Sequence, residues 1–288
     1  MADALPRSAI LAKITTNFPY SDFCGLSQAT LQYQFELGLA SLILTPPMKV
    51  VVIIPAAGLG TRMSSAKASK GKKAPSKQFT ELGGTPILVH TLRRFAGSPE
   101  VSEIMVALRK NEISGFRVWL EGEGQKLLNK PVQLVEGGEH RQESVANALT
   151  AVNAAADDII LVHDAVRPLV TSEIIQQVIS AARKYGAAIA GLPAVDTIKQ
   201  VDRTAEVAMI KATVPREKVV MAQTPQGFRY DVIKKAFDEA AAEGFMGTDE
   251  ASLVERSRHD VAVVMGSPKN IKITTPGDLE LAEFFLKR

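Results

Sequence analysis

Two hydrophobic patterns alternate along the chain from residue 48 onward. Short continuous apolar runs rich in β-branched residues read as buried strands of a parallel sheet, and between them apolar positions recur at helical spacing. Strands are predicted at 49–55, 103–108, 132–135, 158–163, 187–193, 219–222 and 261–265, with helices near 86–96, 112–121, 141–155, 171–184, 230–243, 249–257 and 276–286. This alternation implies an α/β fold with a mostly parallel, Rossmann-like sheet flanked by helices on both faces. Pro86 falls in a first helical turn, and "TPGD" (Thr275 to Asp278) reads as a capping box with proline at N1. One stretch breaks the rhythm. From about Asp196 to Lys218, "DTIKQVDRTAEVAMIKATVPREK" alternates with period two around a turn at "DRT", which predicts a β-hairpin arm protruding from the main sheet.

Residues 1–47 carry no sustained period and end at "TPP", where two prolines stop any element before Met48. The segment lacks the basic start and apolar centre of a secretory signal. It is poor in acids but not rich in arginine, which leaves a transit peptide open. We read it as an N-terminal extension, disordered or upstream of the working start, with a single domain over 48–288.

Composition narrows the class. The chain has 288 residues, of which 46% are hydrophobic, enough for one large packed core. A formal net charge of +3 calls for neither nucleic acid nor an acidic membrane surface as partner. No apolar stretch approaches the ~20 residues of a membrane span. The lone cysteine, Cys24, excludes an internal disulfide and fits a cytoplasmic protein. Local charge is more telling than the total: from Arg62 to Lys77 there are six Lys or Arg and no acid.

That basic run follows "PAAGLGTRM" (Pro55 to Met63), which opens where the first strand ends. A dinucleotide fingerprint would need a third glycine at Met63, and a P-loop would need four residues between its glycines, so both spacings fail. A loop of small residues backed by cations suits a polyphosphate lying close to the backbone. A tight turn needing glycine for its dihedrals alone is the alternative.

Further along stand "KQF" (Lys77 to Phe79), "GGEHRQESV" (Gly137 to Val145), "VHDAVRP" (Val162 to Pro168), "DTIK", "QTPQGF" (Gln223 to Phe228), "TDEAS" (Thr248 to Ser252) and "NIKITTPGDL" (Asn270 to Leu279). With the glycine motif, this ordered set resembles the 2-C-methyl-D-erythritol 4-phosphate cytidylyltransferases of the non-mevalonate isoprenoid pathway, from Lys49 to Arg288. The resemblance implies a sheet of the nucleotide-diphospho-sugar transferase type and a reaction in which the acceptor phosphate attacks the α-phosphorus of CTP and expels pyrophosphate, with Mg²⁺ as cofactor. Two anions must be brought together, so the protein's task is to neutralise and align.

By that resemblance Arg62, Lys77 and Lys272 are the catalytic cations at the triphosphate, and Ala56, Ala57, Gly58, Gly138, Glu139 and Ser144 surround the cytidine, with Arg141 bracing their loop. Glu139 replaces the aspartate of many relatives, and the loop between Arg62 and Lys77 is longer than in many. "VHDAVRP" begins at a strand's end, where open α/β sheets place ligands, so Asp164 and Arg167 point to the cleft. Asp164 is the expected Mg²⁺ ligand and, with Arg167, Thr197, Arg216 and Thr224, contacts the acceptor. Thr197 and Arg216 sit on the arm and reach a partner's site, which implies a homodimer with exchanged arms. Plainer readings stand beside these: Lys272 as an idle lysine on a strand, Asp164 and Arg167 as a capping pair, Ser144 as an ordinary first-turn residue, and Arg216 in a surface ion pair. His163 is read as structural, because a phosphate nucleophile needs no general base. "TDEAS" is read as mainly structural, with Thr248 as an N-cap. A ribitol-5-phosphate or other polyol-phosphate cytidylyltransferase, and a non-catalytic nucleotide-binding regulator, remain alternatives.

Overall fold

A computed structural model of the chain describes residues 48–58, 76–204 and 206–287. The N-terminal extension 1–47, Arg62 and most of the basic run lie outside them.

The elements follow one another as β1 (Val50–Pro55), a 3₁₀ turn (Lys77–Phe79), β2 (Glu81–Leu82), β3 (Thr85–Pro86), α1 (Ile87–Ala96), β4 (Glu103–Leu108) and α2 (Lys110–Trp119). A π-helical segment (Leu120–Gly124) leads into α3 (Gln125–Leu128), then β5 (Val132–Glu136), α4 (Arg141–Ala151), β6 (Ile159–Val162), α5 (Ser172–Tyr185) and β7 (Ala187–Pro193). The arm is β8 (Ile198–Arg203) and β9 (Ala208–Val214), and the chain closes with β10 (Val220–Arg229), α6 (Tyr230–Glu243), α7 (Glu250–Arg256), β11 (Ala262–Met265) and α8 (Pro276–Leu286).

Seven strands form the main sheet in the order β11-β7-β10-β6-β1-β4-β5. β1 runs parallel to β4 and β6, β4 to β5, and β7 to β11, while β10 is antiparallel to both its neighbours. The apolar run of β1 is continuous because both faces are buried: Val50, Val52 and Ile54 meet α1 and α5, whereas Val51 and Ile53 meet α4 and α6. A smaller cluster of Leu82, Ile87, Val166, Leu169, Ile273 and Ala282 ties the β2–β3 hairpin to α8. The "TPGD" box forms as expected, with Thr275 at the N-cap and Asp278 closing it. Among the described residues no helix is long and apolar enough to cross a membrane.

Four departures from the sequence reading have physical causes. Strand β10 continues seven residues past Ala222, through "QTPQGFR", because a register shift between Gln223 and Gln226 absorbs a proline that would interrupt a regular central ladder. Helix α4 ends at Ala151 rather than residue 155, since the Asp158 carboxylate takes the Ala155 N–H at 2.8 Å and starts the turn into β6. Lys272 lies on no strand; its segment is fixed by the Ile273 N–H donating to the Val166 carbonyl at 2.9 Å. The arm reverses at Thr204–Val207, one step beyond "DRT", where the Thr204 N–H donates to the Val207 carbonyl at 2.9 Å.

Candidate active site

The carboxyl ends of β1, β5 and β6 open on a cavity of 190 Å³. Its rims are Pro55 to Gly58 after β1, Gly138 to Arg141 at the start of α4, and Asp164 to Val166 after β6, with Lys77, Gln78, Ser144 and Lys272 completing the lining. Eight of the expected site residues therefore converge with Asp164: Ala56, Ala57, Gly58, Lys77, Gly138, Glu139, Ser144 and Lys272. A roomier hollow of 540 Å³ lies by β5 and the π-helical segment, lined by Arg117, Lys130 and Gln133 among others. None of the expected residues lines it.

The α4 rim is built by its glycines and by one carboxylate. A Cβ at Gly137 would collide with the Ala57 methyl, and one at Gly138 with the Glu143 side chain. The Glu143 carboxylate accepts from the N–H groups of Glu139 at 2.8 Å and His140 at 3.2 Å. Ser144 is buried, its hydroxyl accepting from the Gly138 N–H and donating to the His140 carbonyl, both at 3.1 Å. It shapes the loop as well as lining the cavity.

The floor is a charge cluster centred on Asp164. One carboxylate oxygen, Oδ1, accepts from Arg141 Nε at 3.2 Å; the other, Oδ2, accepts from Arg167 Nε at 3.0 Å and lies 3.1 Å from Lys272 Nζ. Burial by itself would push this carboxyl up, but Arg141, Lys272 and Arg167 together hold it well below the usual carboxylate range. Lys272 is thus no idle lysine: buried Ile273 anchors one side of the segment and turns the ammonium inward.

Glu250 is the residue the sequence reading missed. Both its oxygens accept from Arg141 Nη1, at 2.6 and 2.8 Å, and its side chain is buried. Burial raises the Glu250 carboxyl more than Arg141 lowers it, while Arg141 itself is held firmly protonated by Glu250 and Asp164 against its own desolvation. "TDEAS" was expected to be capped by Thr248. The cap is Asp249, which accepts from the Ser252 N–H at 3.0 Å, and this leaves Glu250 as the first helical residue facing the site.

The remaining expected residues fall elsewhere. Arg167 also donates to the Asn270 carbonyl at 2.8 Å and does not line the cavity. Thr224 is buried behind Asp164, its hydroxyl accepting from the Asp164 N–H at 3.0 Å. Thr197 and Arg216 are exposed on the arm and at its base, where Arg216 donates to the Val195 carbonyl at 2.8 Å. His163 is fully buried, with Nε2 3.0 Å from the Arg167 carbonyl and its ring edge-on to Phe95. Desolvation brings its pKa down to about 4, so it is neutral at working pH, as a structural histidine should be.

Among the described residues no group of three or more His, Cys, Asp or Glu could cage a metal ion. Arg141 and Arg167 fill two of the roughly four acceptor positions of the Asp164 carboxylate and Lys272 stands 3.1 Å from Oδ2, which leaves room for a contact to Mg²⁺, an ion that draws most of its shell from phosphates and water.

Comparison with known proteins sets this geometry in context. The model of the family described as IspD, 2-C-methyl-D-erythritol 4-phosphate cytidylyltransferase, matches residues 50–288. Proteins of that name from Acidobacterium capsulatum and Solibacter usitatus are 56% and 51% identical over 241 and 240 residues, covering 84% and 83% of this chain and 98% and 96% of theirs. Two solved structures are similar over most of this chain. A 4-diphosphocytidyl-2C-methyl-D-erythritol synthase from Anaerococcus prevotii has a TM-score of 0.69 at 30% identity, covering 84% of this chain and 99% of its own. A 2-C-methyl-D-erythritol 4-phosphate cytidylyltransferase from Thermus thermophilus scores 0.64 at 33% identity, covering 84% and 100%.

Proposed function

The chain belongs to the 2-C-methyl-D-erythritol 4-phosphate cytidylyltransferase family, nucleotidyltransferases that move CMP from CTP to 2-C-methyl-D-erythritol 4-phosphate, and from that premise we propose how its residues divide the work. The observation that carries the proposal is the convergence of Lys77, Lys272 and Arg141 with the small-residue rims over one buried, ionised Asp164.

The cytidine lies between the two rims, with Ala56, Ala57 and Gly58 on one side and Gly138, Glu139 and Ser144 on the other. Backbone groups there are bare enough for a base to approach closely. Lys77 and Lys272 face the α-phosphate, and Arg62 joins them in this reading. An oxygen of the acceptor phosphate attacks the α-phosphorus in line; the bond to the β-phosphate oxygen breaks, and pyrophosphate carries the electron pair away. No general base is needed. Negative charge grows on the equatorial oxygens as this happens, and preplaced cations stabilise that charge without reorganising. Asp164 would hold Mg²⁺, whose chemistry is neutralisation of the triphosphate charge.

The acceptor is positioned by Thr197 and Arg216 from the arm of a second copy, an arginine fork suiting a phosphate end-group. Arg167 and Thr224 serve it indirectly, by fixing Asp164. The protein so assembled is a homodimer acting in the cytoplasm.

The test is pyrophosphate release from CTP and Mg²⁺ with methylerythritol 4-phosphate, ribitol 5-phosphate or no acceptor. Release with the first alone is expected. Release with ribitol phosphate instead would keep the CTP site and overturn the acceptor assignment, and silence with both would point to a nucleotide-binding regulator.

A further inference from the structure

Lys77 enters the cavity from a short 3₁₀ turn, and the side chains flanking it are tied to α2. The hydroxyl of Ser76 donates to Glu112 Oε1, and the buried amide of Gln78 donates through Nε2 to Glu112 Oε2 at 3.3 Å. Phe79 packs on Phe116, one turn further along α2, with ring centroids 6.0 Å apart. Three of four consecutive side chains are therefore tied to a single helix, 34 or more residues away in sequence, and Lys77 lines the cavity beside Gln78.

The same helix start holds the opposite rim. Arg109, at the N-cap of α2, donates through Nε to the Ala57 carbonyl at 2.8 Å, and its Nη2 is buried without a partner among the described residues. Arg109 is half-buried, and a buried donor nitrogen left unmatched carries a cost that its bond to the Ala57 carbonyl helps offset. Arg109 and Glu112 are joined through the first turn of the helix, the Glu112 N–H donating to the Arg109 carbonyl at 2.8 Å.

We infer that Glu112 is a positioning residue for the reaction: by bridging Ser76 and Gln78 with its two oxygens it sets the direction in which Lys77 enters the cavity, in register with the Ala57 rim that Arg109 fixes from the same turn. This rests on the reading of Lys77 as a cation at the triphosphate. Glu112 touches no substrate in this account and acts entirely through Lys77. Nothing in the sequence marks it, since a glutamate in the first turn of a helix is ordinary on electrostatic grounds.

The experiment is a double-mutant cycle on the full-length protein with Glu112→Ala, Glu112→Gln and Lys77→Ala, following kcat, the KM for CTP and Tm. Glu112→Ala is expected to lower kcat by about 10–10²-fold, the scale of misplacing one aligned group, with the KM for CTP nearly unchanged. Glu112→Gln keeps an acceptor for Ser76 and, once the Gln78 amide turns over to present its oxygen, a donor for Gln78, and recovers most of the loss. In the Lys77→Ala background Glu112→Ala should change kcat no further, because the group it positions has gone. An equal loss in both backgrounds, or a loss that tracks a fall in Tm, would make Glu112 merely structural and overturn the inference. Full turnover in Glu112→Ala would also overturn it while leaving the site reading intact. Full turnover in Lys77→Ala would instead defeat the site reading, and the inference with it.

Discussion

The cavity floor and the arm both carry ion pairs, yet the two regions put charge to opposite uses. Asp164 is buried and meets Arg141, Arg167 and Lys272 at 3.0–3.2 Å, so every member of that cluster is fixed by the others. On the arm, Asp202 and Lys211 pair at 2.5 Å with more than half of each side chain exposed (58% and 59%). The floor is completed within one chain, whereas the arm is a two-stranded ribbon with Met209 and Ile210 exposed and no core of its own. Such a ribbon is marginal in isolation. The contrast separates a part whose charges are locked together by burial from a part whose ion pair stands open to solvent.

The contrast breaks first at its centre. Asp164→Ala leaves Arg167 and Lys272 without their anion, Arg141 keeping Glu250, and should destabilise the fold by about 3–5 kcal/mol in denaturant unfolding, the usual result of removing one partner of a buried pair. A loss below 1 kcal/mol would show that the cluster relaxes freely. Lys77→Ala should leave stability alone and lower turnover by ~10²–10³ with a smaller change in CTP binding; turnover near wild type would remove its assigned role.

His163 sharpens the comparison through pH. Its pKa is depressed in the folded chain from 6.5 to about 4, so on acidification the unfolded chain takes up the proton first. The stability this group contributes is complete above pH 6.5 and drains as the pH falls towards 4, by about 3 kcal/mol in all. Unfolding free energies measured across that window should fall more steeply for the native chain than for His163→Asn, and parallel slopes would count against the assignment. The smallest effect belongs to the arm. Lys211→Ala should change stability by less than about 1 kcal/mol, because an exposed pair is screened and costs side-chain entropy to hold.

The alternation of strands and helices was legible because β-branched runs such as Val50 to Ile54 have one good solution, burial on both sheet faces. The course of β10 was not, since Pro225 and Gly227 argue against a central strand until the register shift at Gln223 is seen. The two-residue strands β2 and β3 are too short to leave a period; they turn at Gly83 and Gly84, which take φ of +58° and +78°. In the site, motif-borne residues such as Lys77, Gly138, Asp164 and Lys272 could be picked out through their likeness to the family's motifs, and the cavity brings them together. Glu250 and Glu112 could not. Each acquires its meaning from a partner far along the chain, 109 residues away for Arg141 and 36 for Ser76, and no local pattern encodes such a meeting.

The proposal that the arm completes a neighbour's site is tested most directly by subunit mixing. Lys77→Ala chains, defective in the pocket, are unfolded and refolded together with Arg216→Ala chains, defective on the arm. In a mixed dimer one site inherits both defects and the other neither, so an equal mixture should recover about a quarter of native activity although each parent is nearly inactive. No recovery in a mixture where mixed dimers are shown to form would mean that pocket and arm of one chain serve the same site, and the account of the arm would be wrong.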